Sequence, residues 1–206
     1  MPLVPITVEL ISHTPDPERH IELCGREAYG SAPSPDIEGT RSWIRKRIAG
    51  WEHDVLEHAS ATIRVQGSRV YSHEMVRHRL ASYTQSSMRF SEAAAKDYIL
   101  PPEVKEEDRA EWDYDQALIQ EYYRKWRTDK GYPRQTAHYF LPLATATSMM
   151  ETLNFRSWRH VITMRAEAPA QPEMRAITKE IWVALLAIAP SVFEDLAKEL
   201  EKRGWL

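Results

Sequence analysis

The chain has 206 residues, 43% of them hydrophobic and 28% charged, with a net charge of −3 and one cysteine. Such a chain can bury its own core without staples, and the slight acidity speaks against a protein built to coat nucleic acid. Cys24 alone excludes an internal disulfide framework and a multi-cysteine metal centre. No apolar run approaches the roughly eighteen residues of a membrane span, and MPLVPITVELISHTPDPE does not read as a signal peptide. One cytoplasmic domain over 1–206, with neither membrane nor nucleic-acid partner, is the expectation.

In chain order, Val4, Ile6, Val8 and Leu10 alternate with Pro5, Thr7 and Glu9, which predicts a half-buried strand over 4–12. A helix is expected from Glu18 to about Tyr29, then a loop through Gly30–Pro35. Asp36 is placed to cap a second helix reaching Ala49, with Ile37, Ile44 and Ile48 at core spacing. Residues 58–66 alternate again and predict a strand, after which Gly67-Ser68 leads into a helix over 68–79. Residues 83–90 favour extended backbone, 104–128 a long helix broken at Gly131-Tyr132-Pro133, and a short helix ends near Phe140. ATATSMMETL (144–153) fits both strand and helix. Asn154 to about Glu167 reads as helix, Ile177, Ile181, Leu185 and Ile188 mark a core helix over 170–189, and Pro190-Ser191 opens a final amphipathic one. These elements predict an α+β, helix-rich domain.

RHRLASYTQSSMRF (77–90) concentrates cations and hydroxyls. On a helix Glu74, Arg77 and His78 would share a face, with Arg79 turned away. Arginine forks and hydroxyls suit a phosphate or pyrophosphate; a solvated helix end is the competing reading. Asn154 and Arg165, eleven residues apart, share a face with Trp158 and Val161, so Arg165 is either snorkelling or held at a site. Eight histidines are present, yet no HExxH or other ligand spacing appears, and no metal site is expected. A glycine-rich nucleotide loop and a GxSxG elbow are absent from the sequence as well.

Arg77-His78-Arg79, followed after seven residues by Ser87, resembles the RHR-x7-S signature of the flavin-dependent thymidylate synthases, the ThyX family. VLEHASATIRV (55–65), SHEMVRHRLASYTQSSMRF (72–90) and FLPLATATSMMETLNFRSWRHVITMRAEAPAQPEMR (140–175) extend the resemblance over about 50–180. It implies a homotetramer with a central, mostly antiparallel sheet in each subunit and FAD sites where subunits meet. It implies conversion of dUMP to dTMP with methylenetetrahydrofolate as one-carbon donor and NADPH as reductant. By matched position, Asp54, Arg77, His78, Arg79, Gln85, Asn154, Arg156 and His160 would contact FAD. Glu74, Arg77, Gln85, Ser86, Ser87, Met88, Arg89 and His138 would bind the nucleotide, and Arg165 would contact the uracil and favour its N3 ionisation. A fixed guanidinium there stabilises charge on the pyrimidine. The flavin carries the redox step, so no cysteine nucleophile is implied.

Four positions depart from the pattern of that family. Glu74 stands for a glutamine, His138 for an arginine, Gln135 for an acidic residue, and Glu52 for a flavin-contacting histidine, with His53 one residue away. A carboxylate gained and an arginine lost beside a phosphate weaken its binding unless compensated. The alternatives are therefore a related flavoenzyme for a different pyrimidine nucleotide and a non-catalytic nucleotide-binding homologue.

Overall fold

Alternating burial builds one antiparallel sheet of four strands, ordered β1-β2-β4-β3. The computed structural model describes residues 3–90, 97–166, 169–202 and 204. In β1 (Thr7–His13) Val8 and Leu10 are half-buried between exposed neighbours. In β2 (Ser60–Ser68) Ala61, Ile63 and Val65 are buried while Arg64 is exposed. β3 spans Ser82–Gln85 and β4 Ala146–Asn154. The ambiguous 144–153 run is thus a strand: Thr147, Met149, Glu151 and Leu153 are buried and the residues between them half-buried. The Phe155 amide donates to the Ala59 carbonyl at 2.8 Å, and the Thr62 and Thr152 hydroxyls share a hydrogen bond of 2.9 Å. Those pairings run in opposite senses along β2 and β4, as an antiparallel ladder requires.

The helices are α1 (Pro17–Glu27), α2 (Ile37–Ala49), α3 (Arg69–Met75), α4 (Arg109–Arg124), α5 (Arg134–Ala137), α6 (Phe155–Arg165), α7 (Pro172–Ile188), α8 (Pro190–Phe193) and α9 (Leu196–Lys202). Side-chain oxygens cap α2, α3 and α6: Asp36 accepts from the Gly39 amide, Ser68 from Tyr71 and Asn154 from Ser157. Several expectations are corrected. The helix expected over 68–79 stops at Met75, and the Arg77-His78-Arg79 triplet lies beyond it, where no helix sets a shared face. On α2 the buried residues are Thr40, Trp43 and Ile44, whereas Ile37 is exposed. The final helix is two pieces, α8 and α9. α6 reaches Arg165, and the expected end at Glu167 lies outside the described residues. Gly131, at φ +72°, takes the left-handed turn that stops the α4 segment.

The chain forms two units. One comprises Val8–Arg64, His78–Tyr83 and Met150–Leu206. Its core holds Ile21, Ile44, Leu56, Ile63, Phe155 and Trp158, each at 0% exposure, and each such side chain stabilises the fold by about 1.5–3 kcal/mol. The Trp158 indole donates to the Ala61 carbonyl at 3.2 Å, and Arg159 grips Asp195 at 2.6 and 2.7 Å and also the Val192 carbonyl. Gly25 admits the Trp43 ring where a Cβ would collide with it. The other unit comprises Met1–Thr7, Val65–Arg77 and Thr84–Met149. Tyr71, Met75, Tyr98 and Ile99 form its core, with the Tyr98 hydroxyl bonded to Asp113 and Trp126 stacked on Phe140.

Candidate functional site

Within the first unit, the loop after α3, the start of β3 and the C-terminal end of α6 meet around His78. The Arg165 Nε–H donates to His78 Nε2 at 2.9 Å, and the His160 ring meets that of His78 edge-on at 5.9 Å. The Tyr83 hydroxyl donates to the His78 carbonyl at 2.9 Å. Burial, then the charges of Arg165 and His160, push the His78 pKa down from 6.5 to about 4. Burial and the nearby Glu151 carboxylate, fully buried itself, raise that of Tyr83, with Arg165 opposing. A neutral imidazole, a fixed guanidinium and a protonated phenol thus share one locality at neutral pH. The structure therefore brings together Arg165, His78 and His160, and Arg165 is held through its Nε, not simply snorkelling.

The start of α6 carries two more of the sequence-derived residues. The Asn154 Oδ1 accepts from the Ser157 amide at 2.8 Å as the helix cap, and Arg156, exposed, pairs with Glu57 at 2.6 Å. Glu57 and the exposed Asp54 lie on a single 3-10 turn, Asp54–His58. Glu52 binds Arg47 at 2.8 Å and accepts from the Tyr29 hydroxyl at 2.9 Å, while His53 stacks on Trp51.

In the second unit, Gln85 Nε2 donates to Thr147 Oγ1 at 3.0 Å, and the Ser86 and Thr147 hydroxyls are 3.1 Å apart. The Ser86 amide donates to the Ser148 carbonyl at 2.8 Å, and the Ser148 amide returns a bond to Ser86 Oγ at 3.1 Å. These bonds set the 85–86 backbone against β4. The Ser87 hydroxyl accepts from the Arg89 amide at 3.3 Å, and Arg134 donates to the carbonyls of Arg89 and Phe90. Met88 and Glu74 are half-buried. His138 stacks nearly parallel on Tyr123, its rings 5.9 Å apart, and its buried Nε2 has no hydrogen-bond partner among the described residues. Burial, then Arg134 and Arg69, lower its pKa. Two arginines close enough to act on a neutral imidazole suit a bound oxyanion.

Arg77 and Arg79 are exposed, and among the described residues no hydrogen bond or ion pair to either guanidinium occurs. Within the first unit, the solvent-facing Arg79 guanidinium and the exposed His160 ring suit the phosphate and the aromatic part of a cofactor such as a flavin dinucleotide. Among the described residues no cluster of three or more metal-binding side chains occurs, and no helix is long and apolar enough to cross a membrane. Sequence reasoning missed Glu151 and Thr147 as members of these groups and read Tyr83 only as part of the 77–90 stretch. A signal existed for two of them: Thr147 and Glu151 are polar residues in phase with buried Met149 and Leu153.

A family model described as "Thymidylate synthase complementing protein" matches residues 9–191. A flavin-dependent thymidylate synthase of Mycobacteroides abscessus is 34% identical over 226 aligned positions, covering 94% of this chain and 90% of the relative. One from Geobacter sulfurreducens is 32% identical over 199 positions, covering 91% and 85%. Among solved structures, the UMP/dUMP methylase PolB from Streptomyces cacaoi bound with 5-Br dUMP aligns with a TM-score of 0.81 at 21% identity, over 96% of this chain and 97% of that one. At that identity the likeness speaks for the fold alone.

Proposed function

The chain belongs to the flavin-dependent thymidylate synthase family, and from that premise we propose that it methylates dUMP at C5 to give dTMP. The one-carbon unit comes from methylenetetrahydrofolate and the electrons from NADPH. When bound, a flavin would supply the redox chemistry. Arg77, His78, Arg79, Gln85, Asn154, Arg156 and His160, with Asp54, are the residues proposed to hold it.

The observation that carries this reading is the Arg165 guanidinium, oriented through its Nε by a neutral His78. A guanidinium fixed beforehand stabilises negative charge on the uracil ring as C5 becomes nucleophilic, with no reorganisation at the moment of reaction. Ser86, Ser87, Met88 and Arg89 are proposed to bind the nucleotide, with Arg89 as a charge partner for its phosphate. His138, flanked by the charges of Arg134 and Arg69, is proposed to contribute to the nucleotide site. Glu74 and Arg77 complete the proposed nucleotide set. A homotetramer is proposed on the same premise.

A second reading, methylation of UMP, is favoured by Glu74, a half-buried carboxylate in the proposed nucleotide set; one solved structure of this fold is named a UMP/dUMP methylase. The half-buried carboxylate of Glu74 and His138 are the positions at which such a preference would be set. An anaerobic assay with methylenetetrahydrofolate, NADPH and either dUMP or UMP decides between them. dTMP as the faster product supports the main reading; faster methylation of UMP supports the second. A protein that binds flavin and nucleotide yet yields neither product overturns both.

A further inference from the structure

The geometry points to His78 and Tyr83 as positioning residues for Arg165: the Tyr83 hydroxyl fixes the His78 backbone, and the His78 ring, as a neutral acceptor at Nε2, fixes the plane of the guanidinium. This inference rests on the proposed role of Arg165 and adds the device that aims it.

Arg165 is the last residue of α6. A free arginine side chain carries about 2 kcal/mol of rotamer entropy, so a guanidinium at a helix end samples many directions unless another group holds it. One hold here is at Nε, the guanidinium nitrogen nearest the chain, at 2.9 Å. A bond at Nε sets the plane of the group and leaves its direction of approach defined. Arginine has no acceptor, so the donor must be Arg165 and the lone pair must lie on His78 Nε2. His78 is therefore neutral, with its proton on Nδ1.

The surroundings enforce that state. Arg165 and His160 face the ring from α6, and both disfavour a second positive charge, as does burial; its pKa falls to about 4. Tyr83 on β3 uses its hydroxyl on the His78 carbonyl. Burial and the Glu151 carboxylate on β4 keep that phenol protonated and able to donate. Since α3 ends at Met75, no helical hydrogen bond holds residue 78, and the Tyr83 hydroxyl supplies one. Three residues separated along the chain thus form one chain of donors and acceptors ending on the guanidinium.

Two measurements test the inference. In the flavin-loaded protein labelled with 15N-histidine, long-range proton–nitrogen correlation should show His78 as the Nδ1-protonated tautomer, untitrated between about pH 6 and pH 8. An Nε2-protonated ring, or a midpoint at about 6 or above, overturns the proposal. This reading needs no turnover, so it stands apart from failure of the proposed reaction. In the second measurement kcat per bound flavin is compared among His78→Gln, His78→Leu and Tyr83→Phe. The glutamine carbonyl can replace the Nε2 acceptor, so His78→Gln should retain about tenfold more kcat than His78→Leu, the equivalent of one hydrogen bond to a charged group. Tyr83→Phe should lower kcat several-fold with the KM for nucleotide little changed. Equal losses in the glutamine and leucine variants at equal flavin content, or an unchanged Tyr83→Phe, overturn it.

Discussion

Arg165 and Glu22 show how much a single side chain carries, one for chemistry and one for the fold. Arg165→Ala should leave flavin content intact while dTMP formation falls by about 10²–10³, the range for loss of one preorganised electrostatic donor. Arg165→Lys should not restore it, because lysine has no Nε donor for His78 and no planar fork. Turnover close to the parent enzyme in the alanine variant would remove Arg165 from the chemistry. Glu22 is fully buried on α1 and accepts from Arg26, from the Ser34 amide and hydroxyl, and from the Thr40 hydroxyl at 2.5 Å. It ties the loop after α1 to α2. Glu22→Ala takes the carboxylate partner from the half-buried Arg26 and from two hydroxyls and should cost about 3 kcal/mol in urea unfolding.

Among the elements, α6 depends on its cap and on its packing. Asn154→Ala should lose about 1 kcal/mol of stability with the cap, whereas Asn154→Asp keeps an acceptor for the Ser157 amide and should unfold close to the parent. Flavin affinity, measured on the same two variants, separates the capping role from the proposed cofactor contact: a contact through the amide nitrogen predicts weaker flavin binding in both. The α1–α2 pair meets at Gly25, whose missing side chain is filled by Trp43. Gly25→Ala should destabilise by about 1–3 kcal/mol through overpacking, despite the higher helix propensity of alanine.

For the whole molecule, acid is the condition to which these groups make it sensitive. His78 has a folded pKa near 4 against an ordinary 6.5, so the unfolded chain takes up its proton first. Stability is therefore complete above about pH 6.5 and falls as pH drops toward 4. His138 acts in the same direction. Glu22 adds to the loss at lower pH: burial opposes its ionised form, but bonds from Ser34, Thr40 and Arg26 prevail and hold its pKa below 4.5. The melting temperature should decline steadily between about pH 7 and pH 5, and less steeply in His78→Gln. Superimposable pH profiles for the two proteins would rule out His78 as a source of that sensitivity.

Much of the local structure was legible because its causes are local. The alternation over 58–66 marks a strand, observed over Ser60–Ser68, because one face of β2 is buried, Asp36 caps α2 because its side chain reaches an amide three residues on, and Gly131 ends a helix because it tolerates a positive φ. The RHR-x7-S spacing and the blocks around it resembled the family to which the chain belongs without any coordinates. Tertiary structure decided what the local pattern left open. Alanine and methionine over 144–153 suit a helix as well as a strand, and pairing with β2 selected the strand. The triplet continued a helical pattern, yet α3 ends before it and the chain departs toward β3. Arg165 and His78 are 87 residues apart, and no periodicity reports on such a pair. Short-range patterns record the period of one element; which side chains converge on His78 depends on how the loop after α3, β3 and α6 pack together, and that follows from burial across the fold.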